Sequence, residues 1–306
     1  MLVLVAGITG NFGQMLTDSL LARGHRVRGL ARDPAKMDGP RLAKLESFIK
    51  SENYYDIPAL DCGCKGVDAV VCTYPGQAEL QLEGNLLLLR AAERAGIRVF
   101  VTSTYNGDWR NMQLGQHESY DALIALRNHA ELSSDIKPIY MFVGIFADLF
   151  FARPGFGEFS PRANGAWDKE GRAVHVWGTG DEIWHWTTYR DAAEFTAAIV
   201  GREDAAQGGF WSVCSGAHSL KQIAETYGRV KGCTIDVQYK GTVDQLREIA
   251  LAARKNGSRR NYWGYLGWFY QLYIIEGAWA LNNLDNDKLD VKPTTLEEYL
   301  RETPGV

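Results

Sequence analysis

The chain opens on an unbroken apolar run, Leu2 to Ala6, that ends at Gly7. A continuous run, rather than an alternating one, marks a central parallel strand buried on both faces. Apolar positions then fall at Phe12, Met15, Leu16, Leu20 and Leu21, a helical period that Gly24 stops. Residues 25–32 predict a second strand, broken by Asp33-Pro34, and residues 67–74 a third. Residues 79–95 have a helix-forming composition, and residues 97–104 and 138–144 predict a fourth and a fifth strand. Strands separated by helical stretches of this length need crossovers, which are right-handed in nearly all parallel sheets. The pattern predicts a doubly wound parallel α/β sheet.

The pattern changes after residue 150. Residues 153–164 form a Gly- and Pro-rich loop, 173–187 have the look of a hairpin, and 189–200 of a helix. A strand is expected at 210–214, with helices at 219–231 and 243–255. Segment 263–281 is about long enough to cross a bilayer. Its Gln271, Glu276, three glycines and many aromatics predict a buried helix instead. A last helix at 293–300 has Thr294 or Thr295 as its cap. The expected organisation is a nucleotide-binding domain over residues 1–152. A smaller substrate-binding lobe over 153–306 is partly interleaved with the sheet.

Composition narrows the function classes. Hydrophobic residues make up 46% and charged residues 23%, the balance of a soluble protein. A formal net charge of −4 gives no basic field, so neither nucleic acid nor a membrane surface is an expected partner. The apolar N-terminus has no charged lead-in and reads as a strand rather than a targeting signal, so a cytoplasmic location is expected. Cys62, Cys64, Cys72, Cys214 and Cys233 make no disulfide framework and suit a reducing compartment. No cluster has metal-ligand spacing.

Gly7-Ile8-Thr9-Gly10-Asn11-Phe12-Gly13 lies between the first strand and the first helix. Glycine there permits a tight turn, lets backbone approach a pyrophosphate and lets the helix pack closely on the sheet. The helix N-terminus offers free N–H groups to phosphate oxygens. Gly7, Thr9, Gly10, Asn11, Phe12 and Gly13 are therefore candidate dinucleotide contacts. The end of the second strand selects between cofactors, because NAD sites place a carboxylate there and NADP sites a cation. Here Arg32 stands at that end, with Lys36 four residues on and Asp33 placed to cap the next turn. NADP(H) is the expected cofactor.

Ligands in such sheets bind beyond the carboxyl ends of the strands. That places Thr73, Tyr74 and Pro75, then Ser103, Thr104 and Tyr105, near the ribose and nicotinamide. Gly144 and Phe146 would approach from the other side. A hydride-transfer site also needs a group to neutralise the substrate oxygen. Tyr105, His117 and Tyr120 are the local proton donors, and Arg127 is an electrostatic candidate. His175 and His185 flank the tryptophan-rich segment as further pocket candidates.

The stretches GITGNFG at 7, LARDP at 30, VFVTST at 99, PIYMFVGIFADLFF at 138, WTTYRDAAEFTAA at 186 and VKPTTLEEYL at 291 share one resemblance. In this order they resemble the NmrA-like group, the atypical short-chain dehydrogenase/reductase branch that includes isoflavone reductase-like enzymes. The resemblance implies an extended Rossmann fold, NADP(H) preference and a C-terminal lobe closing over a small-molecule pocket. Family members include reductases of aromatic natural products and regulators that bind the nucleotide without turnover. The family's catalytic lysine does not carry over. Its position falls on Ala125 or Arg127, and no lysine occurs between Lys65 and Lys137.

The leading expectation is an NADPH-dependent reductase of an apolar, aromatic or polyketide-like small molecule. Phe146, Phe150, Trp186 and Trp263 are the leading candidates for the substrate wall, with Phe151, Trp184 and Trp268 as further candidates. The alternatives are an NADP(H) sensor that reports to a protein partner, and a non-redox isomerase, epimerase or cyclase.

Overall fold

The computed structural model describes residues 1–306. Seven parallel strands form the central sheet. They are β1 (Leu2–Ala6), β2 (Arg26–Ala31), β3 (Ser47–Lys50), β4 (Ala69–Cys72), β5 (Val99–Val101), β6 (Ile139–Phe142) and a late strand, Gly209–Ser212. The spatial order is β3-β2-β1-β4-β5-β6 with Gly209–Ser212 on the far edge. The chain leaves β1 for β2 on one side and returns to β4 on the other, so the order reverses at β1. That switch point opens the crevice in which such sheets bind ligands.

The apolar run of β1 serves both faces, as its lack of alternation implied. Val3 and Val5 join one core with Leu16, Leu20, Phe195 and Ile199. Leu4 and Ala6 join the opposite core with Leu60, Leu88 and Leu89. The first core lies under α1 (Asn11–Ala22) and the helix Tyr189–Val200, the second under helices Ile57–Cys64 and Asn85–Arg94. Tyr189–Val200 starts where the Thr188 side chain accepts the Asp191 N–H at 2.9 Å.

Second-half residues therefore complete the sheet. Phe210-Trp211-Ser212, within the strand expected at 210–214, pairs in register with Tyr140-Met141-Phe142. The hairpin expected at 173–187 is absent. Ala173–Trp177 pairs with Asp236–Gly241 and Trp167–Asp168, whereas Ile183–Thr187 pairs with Gly216–Ser219 and Ile145–Phe146. The turn itself is well made, with Gly178 and Gly180 at positive φ and Glu182 accepting the Thr179 and Gly180 N–H groups. It passes the chain between two sheets because each strand pairs with other segments and not with its neighbour across the turn. Segment 263–281 contains the helix Trp263–Ile275. No helix is long and apolar enough to cross a membrane. The last helix starts on Thr295, in a capping box with Glu298, while the Thr294 hydroxyl donates to buried Asp191.

Candidate functional site

Past the carboxyl ends of β1, β2, β4 and β5 lies a cleft of about 730 Å³. Its inner wall is the sequence-predicted turn. Gly7 has φ +87°, and a Cβ there would stand 2.8 Å from Thr73 Oγ1. A Cβ on Gly13 would stand 2.6 Å from the Gly7 carbonyl oxygen and 2.8 Å from Ile8 Cα. Gly13 is thus the packing glycine beneath the turn, while Gly7, Thr9, Gly10, Asn11 and Phe12 face the cleft. No side chain caps the first turn of α1. Its free N–H groups and partial positive charge point at the space a pyrophosphate takes.

Arg32 and Lys36 border the same cleft and are exposed. Neither forms an ion pair, although eighteen such pairs occur across the molecule. The nearest sequence carboxylate, Asp33, accepts the Ala35 N–H at 3.0 Å. Arg32 lies over the Tyr54 ring at 5.3 Å, and Tyr54 packs on Tyr74 at 4.9 Å. Two uncompensated cations beside an aromatic shelf suit a phosphate attached next to a flat base.

The middle of the cleft is held by short polar links. Thr73 donates through Oγ1 to the Ala6 carbonyl at 2.8 Å, and Ser103 donates to the Tyr74 carbonyl at 2.5 Å. Pro75 lines the wall beside them. Phe12, Tyr105, Phe146 and Tyr189 form one aromatic corner. Phe12 meets Tyr105 edge-on at 4.4 Å, and Phe146 stacks on Tyr189 at 4.2 Å. Burial raises the Tyr105 hydroxyl pKa, opposed by the Thr196 hydroxyl 3.3 Å away. Burial and then the nearby Asp148 charge push Tyr189 to about 12.

The outer wall comes from the second half. Residues 155–158 run along the cleft as a strap. Asn11 donates to the Gly155 carbonyl, Arg153 pairs with buried Asp148 at 2.7 Å, and Phe156 meets Tyr189 at 5.1 Å. Tyr262, Trp263, Leu266 and Tyr270 close the far end, and Tyr262 donates to the Gly76 carbonyl at 2.6 Å.

Several sequence candidates stand elsewhere. His117 and Tyr120 are fully buried behind the wall, among Phe269, Tyr273 and Trp279. Arg127 is half-buried over the Trp109 ring at 5.8 Å and does not line the cleft. Thr104 is sealed beneath the cleft, bonded to Thr102 and to the Met141 N–H. Gly144, at φ +68°, is pressed against the His185 backbone, where a Cβ would stand 2.1 Å from the carbonyl oxygen. Phe150 packs against Trp167 and Trp184, and Trp186 donates to His218 Nδ1 at 3.0 Å. His175 and His185 do not line the cleft. Tyr120, Phe150 and Trp186 belong to one core in which large rings from both halves of the chain pack on one another.

Asn106, in the loop expected after the fourth strand, lines the cleft, whereas sequence reasoning missed Tyr54, Ser119, Tyr189, Tyr262 and Tyr270. Tyr189 lay in a stretch quoted for the family, and Tyr262 and Tyr270 flank or fill the aromatic segment. Periodicity could not say which of its rings turn inward.

The seven-stranded order, the switch point and the glycine turn define an extended Rossmann fold with a dinucleotide-shaped crevice. A family model, the NmrA-like family, matches residues 1–300, and the chain belongs to that family. Cinnamoyl-CoA reductase 1 of Oryza sativa subsp. japonica is 32% identical over 135 residues. That stretch spans 40% of this chain and 39% of the rice enzyme. Among solved structures, AtPrR2 with NADP+ and (+)pinoresinol superposes with a TM-score of 0.73 at 20% identity, covering 98% of this chain and 97% of that one. The leucoanthocyanidin reductase–NADPH complex from Vitis vinifera gives 0.73 at 19% identity, covering 99% of both chains.

Proposed function

We propose that this protein is an NADPH-dependent reductase of an apolar aromatic small molecule. The observation that carries the reading is the pair Arg32 and Lys36, cations without carboxylate partners, in the same cleft as an aromatic wall. The solved relatives with NADP+ or NADPH, and the pinoresinol in one of them, support the same assignment. Bound NADPH supplies a hydride. The free N–H groups of the first turn of α1 hold the pyrophosphate, and Arg32 with Lys36 holds the additional phosphate. Phe12, Phe146 and Tyr189 exclude water from the middle of the cleft, which strengthens every polar contact made there. Tyr105 is the one sequence-predicted catalytic candidate on the cleft wall, and burial keeps its hydroxyl protonated, the state required of a donor. In this reading residues 1–152 contribute the nucleotide half, and the later lobe adds the strap and the aromatic end.

One observation favours a second reading. Lys36 is the sole lysine on the cleft wall, and no histidine borders it. A nucleotide-binding sensor needs no such group at the substrate end, and a non-redox enzyme on the same scaffold would have to take its general acid or base from another residue type. Absorbance of the reduced nicotinamide, followed with a panel of aromatic ketones and enones, separates the readings. Substrate-dependent loss of the signal supports the reductase. Tight NADPH binding with no turnover across the panel transfers the assignment to the sensor or non-redox protein.

A further inference from the structure

Ser119 is a cleft wall residue of unusual constraint. It is only 5% exposed, yet it borders the cleft beside the aromatic end. It sits on the first turn of the helix Glu118–Ser133, whose N-cap is His117. The His117 ring turns back as the cap, and its Nδ1 accepts the Ser119 backbone N–H at 3.2 Å. An Nδ1 that accepts carries no proton, so the ring hydrogen resides on Nε2. Nε2 is buried without a partner, and the imidazole packs on the Phe269 ring at a centroid distance of 4.5 Å.

The tautomer fixes the next bond. Ser119 Oγ lies 2.8 Å from His117 Nδ1. With a lone pair on Nδ1, that contact has one polarity: the serine hydroxyl donates. Ser119 has then spent its only hydrogen; the buried Tyr120 hydroxyl is the one protein group beside its oxygen, without hydrogen-bond geometry to any partner, so a lone pair of Ser119 Oγ stays open. A buried hydroxyl oxygen with free lone pairs at a cleft wall is an acceptor awaiting a donor.

We propose that Ser119, oriented by His117, is a specificity-determining acceptor that receives a hydroxyl group of the bound ligand. Its chemistry selects phenols and alcohols over ketones and ethers at this position. A carbonyl or ether oxygen would meet lone pairs and leave Ser119 unsatisfied, which is the stronger form of discrimination by a buried polar group. His117 acts through Ser119 and is a positioning residue. The charged groups around it are Glu118 on its own helix and Arg254 from the helix Val243–Asn256; Tyr120, Tyr262, Tyr265 and Tyr273 supply the surrounding rings. Burial among those rings holds the imidazole neutral, with its pKa down at about 4. The acceptor character of Nδ1 therefore persists across the neutral range.

The inference rests on the cleft being the site of an aromatic ligand, but it needs no turnover, so a binding experiment tests it separately from the reductase reading. The probes are para-phenylphenol and its methyl ether, titrated against the full-length protein with NADP+ present and read by tryptophan fluorescence. Wild type is expected to bind the phenol about five- to tenfold more tightly than the ether, the range of one net hydrogen bond. Ser119→Ala should bring the two within about twofold by weakening the phenol alone. The extra bulk of the ether is common to both proteins, so only a change in the ratio counts. His117→Phe, where it folds, should free the serine hydrogen and improve the ether relative to the phenol. Equal binding of the two probes by wild type, no binding of either, or a preference that survives Ser119→Ala overturns the proposal.

Discussion

The Asn11 side-chain amide donates to the Gly155 carbonyl oxygen at 2.8 Å, across 144 residues of sequence. One hydrogen bond thereby ties the glycine turn to the strap that forms the opposite wall of the cleft. Because the bond is exposed, its contribution to global stability is small, about 0.5 kcal/mol. Its effect falls on the strap. Asn11→Ala should leave the urea midpoint nearly unchanged while NADPH dissociates several-fold faster in stopped-flow displacement. An unchanged dissociation rate would separate the strap from nucleotide retention.

Arg32 and Lys36 give the cofactor assignment its sharpest test. Charge-assisted bonds to a phosphate contribute about 1.5–3 kcal/mol, or roughly ten- to a hundredfold in affinity. Arg32→Ala should weaken NADPH by that factor and NADH by less than about threefold. Lys36→Ala should follow the same pattern at smaller amplitude, because a lysine lacks the planar fork. Both residues are exposed, so raising ionic strength should narrow the wild-type preference. Calorimetric titration of the two nucleotides against each variant reads all of this directly.

The two halves of the molecule differ in how far local pattern reaches. β1, the turn and α1 are written in consecutive residues, so their period and glycines state the structure and half of the cleft together. β3 (Ser47–Lys50) escaped because this edge strand is short and only partly buried, with no long apolar run. The later lobe builds its sheets from distant partners, and Gly178 to Glu182 illustrates the consequence. Its residues form a tight turn, yet the flanking strands enter different sheets. Ring orientation was also illegible. Trp263 is 49% exposed on the cleft rim while Trp184 and Trp186 are sealed in the core, and composition is the same in each case. His117 was selected for its chemistry, but the adjacent Ser119 is the residue that reaches the cleft.

The glycines of the turn divide by what a methyl group would strike. At Gly13 a Cβ meets backbone of Gly7 and Ile8 inside 3 Å, and neither can rotate away. Gly13→Ala should therefore cost about 1–3 kcal/mol in urea unfolding, the range of an overpacked core. At Gly10 the nearest atom is the Gly7 carbonyl oxygen at 3.4 Å, and φ is −75°, which any residue adopts. Gly10→Ala should fold with stability close to wild type. It should still lose NADPH affinity, because the methyl group projects where the pyrophosphate approaches the backbone. Equal destabilisation by both substitutions would contradict this division of roles.

His117 links the fold to pH with a definite sign. Burial lowers its pKa to about 4, with Glu118 opposing that shift and Arg254 adding to it. In the unfolded chain the value returns to about 6.5. Between those limits the unfolded state binds a proton that the folded state refuses, so stability rises with pH across the window. The contribution is complete above about pH 6.5 and is lost progressively as pH falls toward 4, by about 3 kcal/mol in all. His25, His175, His185 and His218 are also lowered, chiefly by burial, so the wild-type slope alone does not isolate His117. The difference between wild type and His117→Gln does. The variant should be less stable at pH 7.5 and lose less on acidification, so that the two urea-derived stabilities converge near pH 4.5. Parallel curves for the two proteins would mean that His117 titrates in the folded state as it does in the unfolded chain.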